Sequence, residues 1–144
     1  MYSKEDFDNA KTKILKYILY KKRTEQEIRQ KFVDIDENIV EDAIEYLKEA
    51  GYINDLEYID RAINEFIALN TLSIKEIKYK LQQKGISKSD IEEYVQNNYE
   101  RIYEYEKQSA LKIYEKKKNI DYLYKKGYNE EVIKEVDEYG NTTY

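Results

Sequence analysis

Apolar residues recur every three or four positions along most of the chain, which is the spacing of one face of an α-helix. The longest of these apolar stripes predict helices over about 4–21 and about 99–118, with shorter helices between and after them. Proline is absent and glycine occurs only four times, so few residues interrupt the helical pattern. The sequence therefore predicts an all-α protein.

Capping residues divide this pattern into separate helices. N-cap residues are predicted at Thr24, Asp36, Asp55, Ser73 and Ser87. Glu27 and Glu76 stand three residues after a capping hydroxyl, which is the spacing of a capping box. At the other ends, Gly51, Gly85 and Gly127 each follow a helical segment and precede an apolar residue, as a left-handed C-cap does.

The predicted helices form a repeating unit of a long helix, a short helix, a turn and a third helix. The apolar positions of the first unit recur about 50 residues later, and those around Leu81–Ser87 recur at Leu123–Asn129. We expect three tandem three-helix modules at residues 1–53, 54–98 and 99–140, followed by a disordered tail at 141–144. Stacked modules of this size predict an elongated, curved body.

Composition excludes much chemistry. The chain is 41% hydrophobic and 38% charged, and it contains neither cysteine nor histidine. Disulfides, thiolate zinc sites and imidazole bases are therefore impossible, and no glycine-rich phosphate loop or nucleophile motif is present. Because the sequence has no long apolar run, we expect a cytoplasmic protein without membrane contact. Because these catalytic residue types and motifs are missing, we expect no catalytic residues, cofactors or small-molecule substrate.

One acidic stretch has the spacing of a calcium loop. Asp34, Asp36, Asn38 and Glu45 stand where such a loop places ligands, but Ile39 occupies the position that needs glycine for the turn. We interpret these carboxylates as favourable charges at the start of a helix, so no metal site is predicted.

Charge alternates along the chain although the net charge is −5. Residues 34–60 carry ten acidic groups against one lysine, whereas residues 107–126 carry seven basic groups against two acidic ones. Basic clusters recur in or beside the first two helices of each predicted module, which favours an extended basic face for a macromolecular partner. The candidate partner-binding residues are Lys21, Lys22, Arg23, Arg29, Lys78, Lys80, Lys84, Lys116, Lys117 and Lys118.

Tyrosine supports an alternative function. The chain has 17 tyrosines, several of them interleaved with lysine as in the segment 122–126. Aromatic rings beside cations can stack on bases and bind phosphates, so a surface for single-stranded nucleic acid is possible. Tyrosine also replaces leucine or phenylalanine on half-buried helical faces, and that simpler explanation stays open.

Three segments in order resemble the RecX family of regulatory proteins. They are Lys22–Arg29, Ala50–Asp55 with Tyr58 after it, and Ile77–Ile86. Members commonly show Arg-Ser-Glu-x-Glu-Leu, then Gly-Tyr-(Leu/Ile)-(Asp/Asn)-Asp, then Leu-x-x-Lys-Gly-(Ile/Val). The match covers about residues 10–95, with a weaker third module beyond.

This resemblance implies a fold of three three-helix repeats and a function in recombination, DNA repair and the SOS response. It implies a monomer that binds the RecA recombinase or the RecA–DNA filament and inhibits its strand exchange, ATPase and co-protease activities. Residues 70–73 depart from the basic residue and glycine common in the family, and the chain is acidic, so only weak direct contact with DNA is expected.

Overall fold

The computed structural model describes residues 1–142, and their side chains through residue 140. These residues form nine α-helices and no strand, which confirms the all-α prediction. The helices are α1 (Lys4–Tyr20), α2 (Glu25–Lys31), α3 (Glu37–Glu49), α4 (Asp55–Leu69), α5 (Ile74–Gln83), α6 (Lys88–Asn97), α7 (Tyr99–Lys117), α8 (Ile120–Lys126) and α9 (Glu130–Thr142). Asn141 and Thr142, expected in a disordered tail, lie in α9, and the other two residues of that tail lie outside the described residues.

Four of the five predicted N-caps are observed, at the starts of α2, α3, α5 and α6. The hydroxyls of Thr24 and Ser73 accept the backbone N–H groups of Glu27 and Glu76, and each glutamate accepts the N–H of its capping residue in return. α4 begins at Asp55 as predicted, but its N-cap is the preceding residue. The side-chain amide oxygen of Asn54 accepts the Glu57 N–H, so Asn54 makes the capping hydrogen bond that had been predicted for Asp55.

Glycines end three helices as predicted. Gly51, Gly85 and Gly127 have φ of +84°, +89° and +88°. Two further left-handed residues were not predicted. They are Asn70 after α4 and Lys118 after α7, with φ of +53° and +51°. Asparagine tolerates the left-handed conformation, but lysine rarely adopts it, so the residue type at position 118 does not signal a left-handed turn.

The chain divides into two compact units. The first comprises residues 1–58 together with 84–86, and the second comprises residues 59–83 and the chain from 87 onward. In the first unit α1 packs on α3, and both bury aliphatic side chains against α2. Its core consists of Ile14, Ile18, Ile28, Val40, Ala43, Ile44, Leu47 and Ile53.

In the second unit α7 packs along α9 and α8 closes one end of the pair. The core between them consists of Ala110, Leu123, Tyr128, Val132, Ile133 and Val136. The boundary between the two units, after residue 58, lies five residues beyond the predicted end of the first module. The division into three modules stays a prediction.

One bonding pattern occurs in both units. In the first unit the buried Thr24 hydroxyl donates to the Lys84 carbonyl oxygen over 2.6 Å. In the second unit the buried Ser73 hydroxyl donates to the Lys126 carbonyl oxygen over 2.7 Å. Each carbonyl belongs to the residue before a left-handed glycine, so a capping hydroxyl at the start of one short helix satisfies a carbonyl at the end of another.

Candidate functional site

The first basic cluster lies at the end of α1. Lys21 and Lys22 are exposed in the segment between α1 and α2. The guanidinium of Arg23 lies 4.3 Å from the centre of the Tyr17 ring, and the Lys31 ammonium lies 5.8 Å from the same ring. Tyr17 therefore fixes two of the nearby cations, while Lys21 and Lys22 extend into solvent.

Arg29 was predicted as a partner-binding residue, but its guanidinium is occupied within the chain. Its Nε lies 2.6 Å from one oxygen of Glu41, and its Nη2 lies 3.2 Å from the other oxygen and 3.1 Å from Glu25. The hydrogen bond with Glu41 is the main reason that the pKa of Arg29 is raised. A guanidinium held by two carboxylates connects α2 to α3, so contact with a partner through Arg29 would compete with these ion pairs.

The second cluster is also partly occupied. The Lys78 ammonium lies 3.0 Å from a carboxylate oxygen of Glu92 on α6, and the Lys84 ammonium lies 3.8 Å from Glu27. Lys80 is exposed, and its side chain has no partner among the described residues. Of these three lysines, Lys80 is the one whose ammonium is available without breaking an ion pair.

The third cluster lies where α7 ends. Lys116 is exposed. Lys117 lies 5.3 Å from the centre of the Tyr122 ring, and Lys126 approaches the same ring to 5.9 Å. Lys118 ends α7 in the left-handed conformation and lies 5.7 Å from the Tyr114 ring.

The ten predicted residues are distributed over both units. Lys21, Lys22, Arg23, Arg29 and Lys84 belong to the first unit, and the other five belong to the second. Within each unit the structure separates cations that extend freely into solvent from cations held by carboxylates or rings. A continuous basic face across the chain stays a prediction.

A buried polar network in the second unit was not predicted. Glu106 on α7 is 4% exposed, and its two carboxylate oxygens accept the backbone N–H groups of Ile74 (3.0 Å) and Asn129 (2.5 Å). Burial raises the pKa of Glu106 above its ordinary value of 4.5, although the two N–H donors oppose that shift. The carboxylate thus joins the starts of α5 and α9 to α7.

Hydroxyl groups extend this network. The Tyr105 hydroxyl donates to the Leu72 carbonyl oxygen over 2.6 Å, and the hydroxyls of Ser109 and Tyr128 lie 2.7 Å apart. Burial raises the pKa of Tyr128 to about 12. The spacing of Tyr105, Glu106 and Ser109 on the apolar stripe of α7 was a signal that these polar side chains face inward.

Neither a membrane helix nor a metal centre is evident in the part of the chain that the structure describes. No helix there is both long and apolar enough to cross a bilayer. Likewise, no group of three or more acidic side chains there has the geometry to hold a metal ion.

Comparisons with known proteins point to one family. The chain is 34% identical over 150 residues to the regulatory protein RecX of Clostridium beijerinckii, and the alignment covers 92% of this chain and 68% of that protein. It is 30% identical over 150 residues to RecX of Clostridioides difficile, with the same coverage. Identity to RecX of Streptococcus pneumoniae strain Hungary19A-6 is 46% over 93 residues, which span 60% of this chain and 34% of that protein. No protein-family model matches the chain.

Solved structures agree in fold. A crystal structure of regulatory protein RecX superposes with a TM-score of 0.76 at 26% identity, covering 92% of this chain and 73% of that one. RecX from Lactobacillus salivarius superposes with a TM-score of 0.79 at 22% identity, covering 93% and 96%. Because 68% of the Clostridium beijerinckii relative aligns at 34% identity, the chain belongs to the RecX family of regulatory proteins.

Proposed function

We propose that the chain binds RecA or the RecA–DNA filament and inhibits its recombinase, ATPase and co-protease activities. The observation that carries this proposal is the 34% identity to a regulatory protein RecX along 92% of the chain. A RecA partner places the chain in the cytoplasm, and regulation by binding requires no cofactor or catalytic residue.

Exposed cations within each of the two units support docking on an acidic partner. Lys21, Lys22, Lys80 and Lys116 are exposed, and no partner of their side chains is found among the described residues. Cations that are not neutralised within the chain can steer and orient an acidic surface of a partner. Binding of this kind inhibits only if the chain contacts one state of the filament more favourably than another.

Pull-down of purified RecA by the immobilised chain in the absence of DNA tests this docking. We expect RecA to be retained at low salt and released as the salt concentration rises, because exposed charge pairs are screened. Retention only after single-stranded DNA is added would exclude binding to free RecA, and the oligonucleotide measurement below then separates binding to the RecA–DNA filament from binding to the DNA itself.

Binding of single-stranded nucleic acid is that second candidate. Lys117 and Lys126 both lie over the Tyr122 ring, and Tyr20 and Tyr124 are 87% and 52% exposed. These rings and cations suit base stacking and phosphate contact, whereas the net charge of −5 opposes them. Anisotropy of a labelled oligothymidylate without RecA separates the candidates, since the RecA proposal expects little change.

A further inference from the structure

A hollow of about 260 Å³ opens on the first unit, where α2 turns into α3. Its floor is apolar and consists of Phe32, Ile35 and Val40. Val33 lines it as well and is 79% exposed. An aliphatic side chain left this open beside an apolar hollow is surface that a partner could cover with a favourable hydrophobic contribution.

The charges around this hollow have mostly one sign. Glu37 and Glu41 line it, and the exposed residues Asp34 and Asp36 alternate with its lining residues along the turn between α2 and α3. Arg29 also lines it, but its guanidinium already binds Glu41 and Glu25. The Glu37 carboxylate is exposed, and no counter-ion for it is found among the described residues.

From this combination we propose that the hollow is a docking site for a segment of another protein that carries a large apolar side chain next to lysine or arginine. The apolar side chain fills the hollow over Phe32 and Ile35, and the cation pairs with Glu37 at the edge. This site is chemically opposite to the basic clusters, so the inference does not depend on RecA being a partner.

Charge and polarity identify this occupant. A nucleic acid would bring phosphates toward the carboxylates of Glu37 and Glu41, and it offers no aliphatic side chain to Val33. An acidic peptide would be repelled in the same way. A cationic segment with a large apolar side chain can pack on Phe32 and Ile35 and pair its cation with Glu37.

Three synthetic peptides test the proposal by titration against the isotope-labelled chain, observed through its backbone amide NMR signals. They are acetylated and amidated hexapeptides with the sequences Gly-Lys-Leu-Phe-Lys-Gly, Gly-Glu-Leu-Phe-Glu-Gly and Gly-Lys-Ser-Ser-Lys-Gly. The lysine peptide with the apolar centre should bind about tenfold more tightly than the glutamate peptide, because surface charge pairs differ by that order when their sign is reversed. The peptide lacking apolar residues should bind more weakly than the first, and the amide shifts should be largest within residues 29–41.

Two variants and one matched control locate the site. Val33→Gln should weaken binding of the lysine peptide, and Glu37→Gln should reduce its advantage over the glutamate peptide about threefold. Leu69→Gln is the control, since Leu69 is 62% exposed but lies in the second unit. Circular dichroism should show unchanged helix content in all three.

Several outcomes would overturn the proposal. They are equal affinity for the lysine and glutamate peptides, unchanged binding by the Val33→Gln variant, and amide shifts that leave residues 29–41 unaffected. A further contradictory outcome would come from analytical ultracentrifugation, which measures the oligomeric state of the chain. If the chain forms a dimer that Val33→Gln dissociates, the occupant is a second copy of this chain and not a different protein.

Discussion

The hydroxyl of Thr24 both caps α2 and donates to the carbonyl oxygen of Lys84, 60 residues further along the chain. Ser73 repeats this arrangement at the start of α5 with the carbonyl oxygen of Lys126. One side chain thus satisfies orphan backbone groups at the ends of two helices. The glycine after each carbonyl lets the two helix ends approach closely.

The hydroxyl of Ser73 should matter more for stability than that of another capping serine. Ser87 caps α6 by accepting the Asp90 N–H and is exposed, so Ser87→Ala should cost about 1 kcal/mol, as loss of a cap does. Ser73→Ala removes the same cap and also leaves the Lys126 carbonyl without its donor, which should add about 1–3 kcal/mol. Urea unfolding of both variants measures the difference, and equal losses would show that the second hydrogen bond contributes nothing.

Gly85 should tolerate a methyl group less well than Gly51. Both have φ near +85°, but an added Cβ at Gly51 meets no heavy atom within 4 Å, whereas one at Gly85 would overlap Cβ of Gln26. Gly51→Ala should therefore cost about 1 kcal/mol from backbone strain alone. Gly85→Ala should cost about 1–3 kcal/mol more, because α2 must shift to make room. Similar melting temperatures for the two variants would contradict the close approach of these helix ends.

Glu106 should give the chain a characteristic dependence of stability on pH. Its folded pKa lies above 4.5, so the folded chain binds more protons than the unfolded chain above that pH. The contribution of Glu106 to the free energy of unfolding should therefore fall as pH rises from about 4.5 through the folded pKa. The free energies of unfolding of the wild type and of the Glu106→Gln variant, measured in urea over this pH range, isolate the contribution of Glu106. The advantage of the wild type over the variant should shrink with rising pH, and a constant or growing advantage would contradict a raised pKa.

Much of the fold followed from local sequence signals. Thr24 with Glu27 and Ser73 with Glu76 are capping boxes that can be recognised from spacing, and the three glycines end helices because left-handed backbone costs them little. These features depend on residues within one turn of each other, so no tertiary information is needed to predict them.

The availability of the predicted site residues to a partner could not be read from the sequence, because it depends on contacts between distant residues. Arg29 and Lys78 look like surface cations in the sequence, but Glu41 and Glu92 neutralise them. Conversely, the position of Glu106 on the apolar stripe of α7 signals that its side chain faces inward, but only the structure identifies its two backbone donors at the starts of α5 and α9. Charge counting cannot distinguish an ion pair within the chain from a cation available to a partner.

Charge reversal should therefore be directed at the cations that extend freely into solvent. Changing Lys21, Lys22 and Lys80 to glutamate should weaken RecA inhibition at low salt while leaving helix content unchanged, because none of these side chains has a partner among the described residues. The effect should diminish at higher salt. Glu93→Lys is the control, since Glu93 is exposed on α6 and, unlike Glu92, forms no described ion pair. A triple variant that inhibits as well as the wild type would remove these lysines from the docking surface.

The rate of ATP hydrolysis by RecA on single-stranded DNA, measured with increasing amounts of the chain, tests the proposed regulation most directly. We expect the rate to fall with the concentration of the chain and to approach a limit as its binding sites on the filament are filled. The Ser73→Ala variant, used below its melting temperature, should inhibit as the wild type does, because its hydroxyl is buried. An unchanged rate at a large excess of the folded chain would contradict regulation of RecA by this protein.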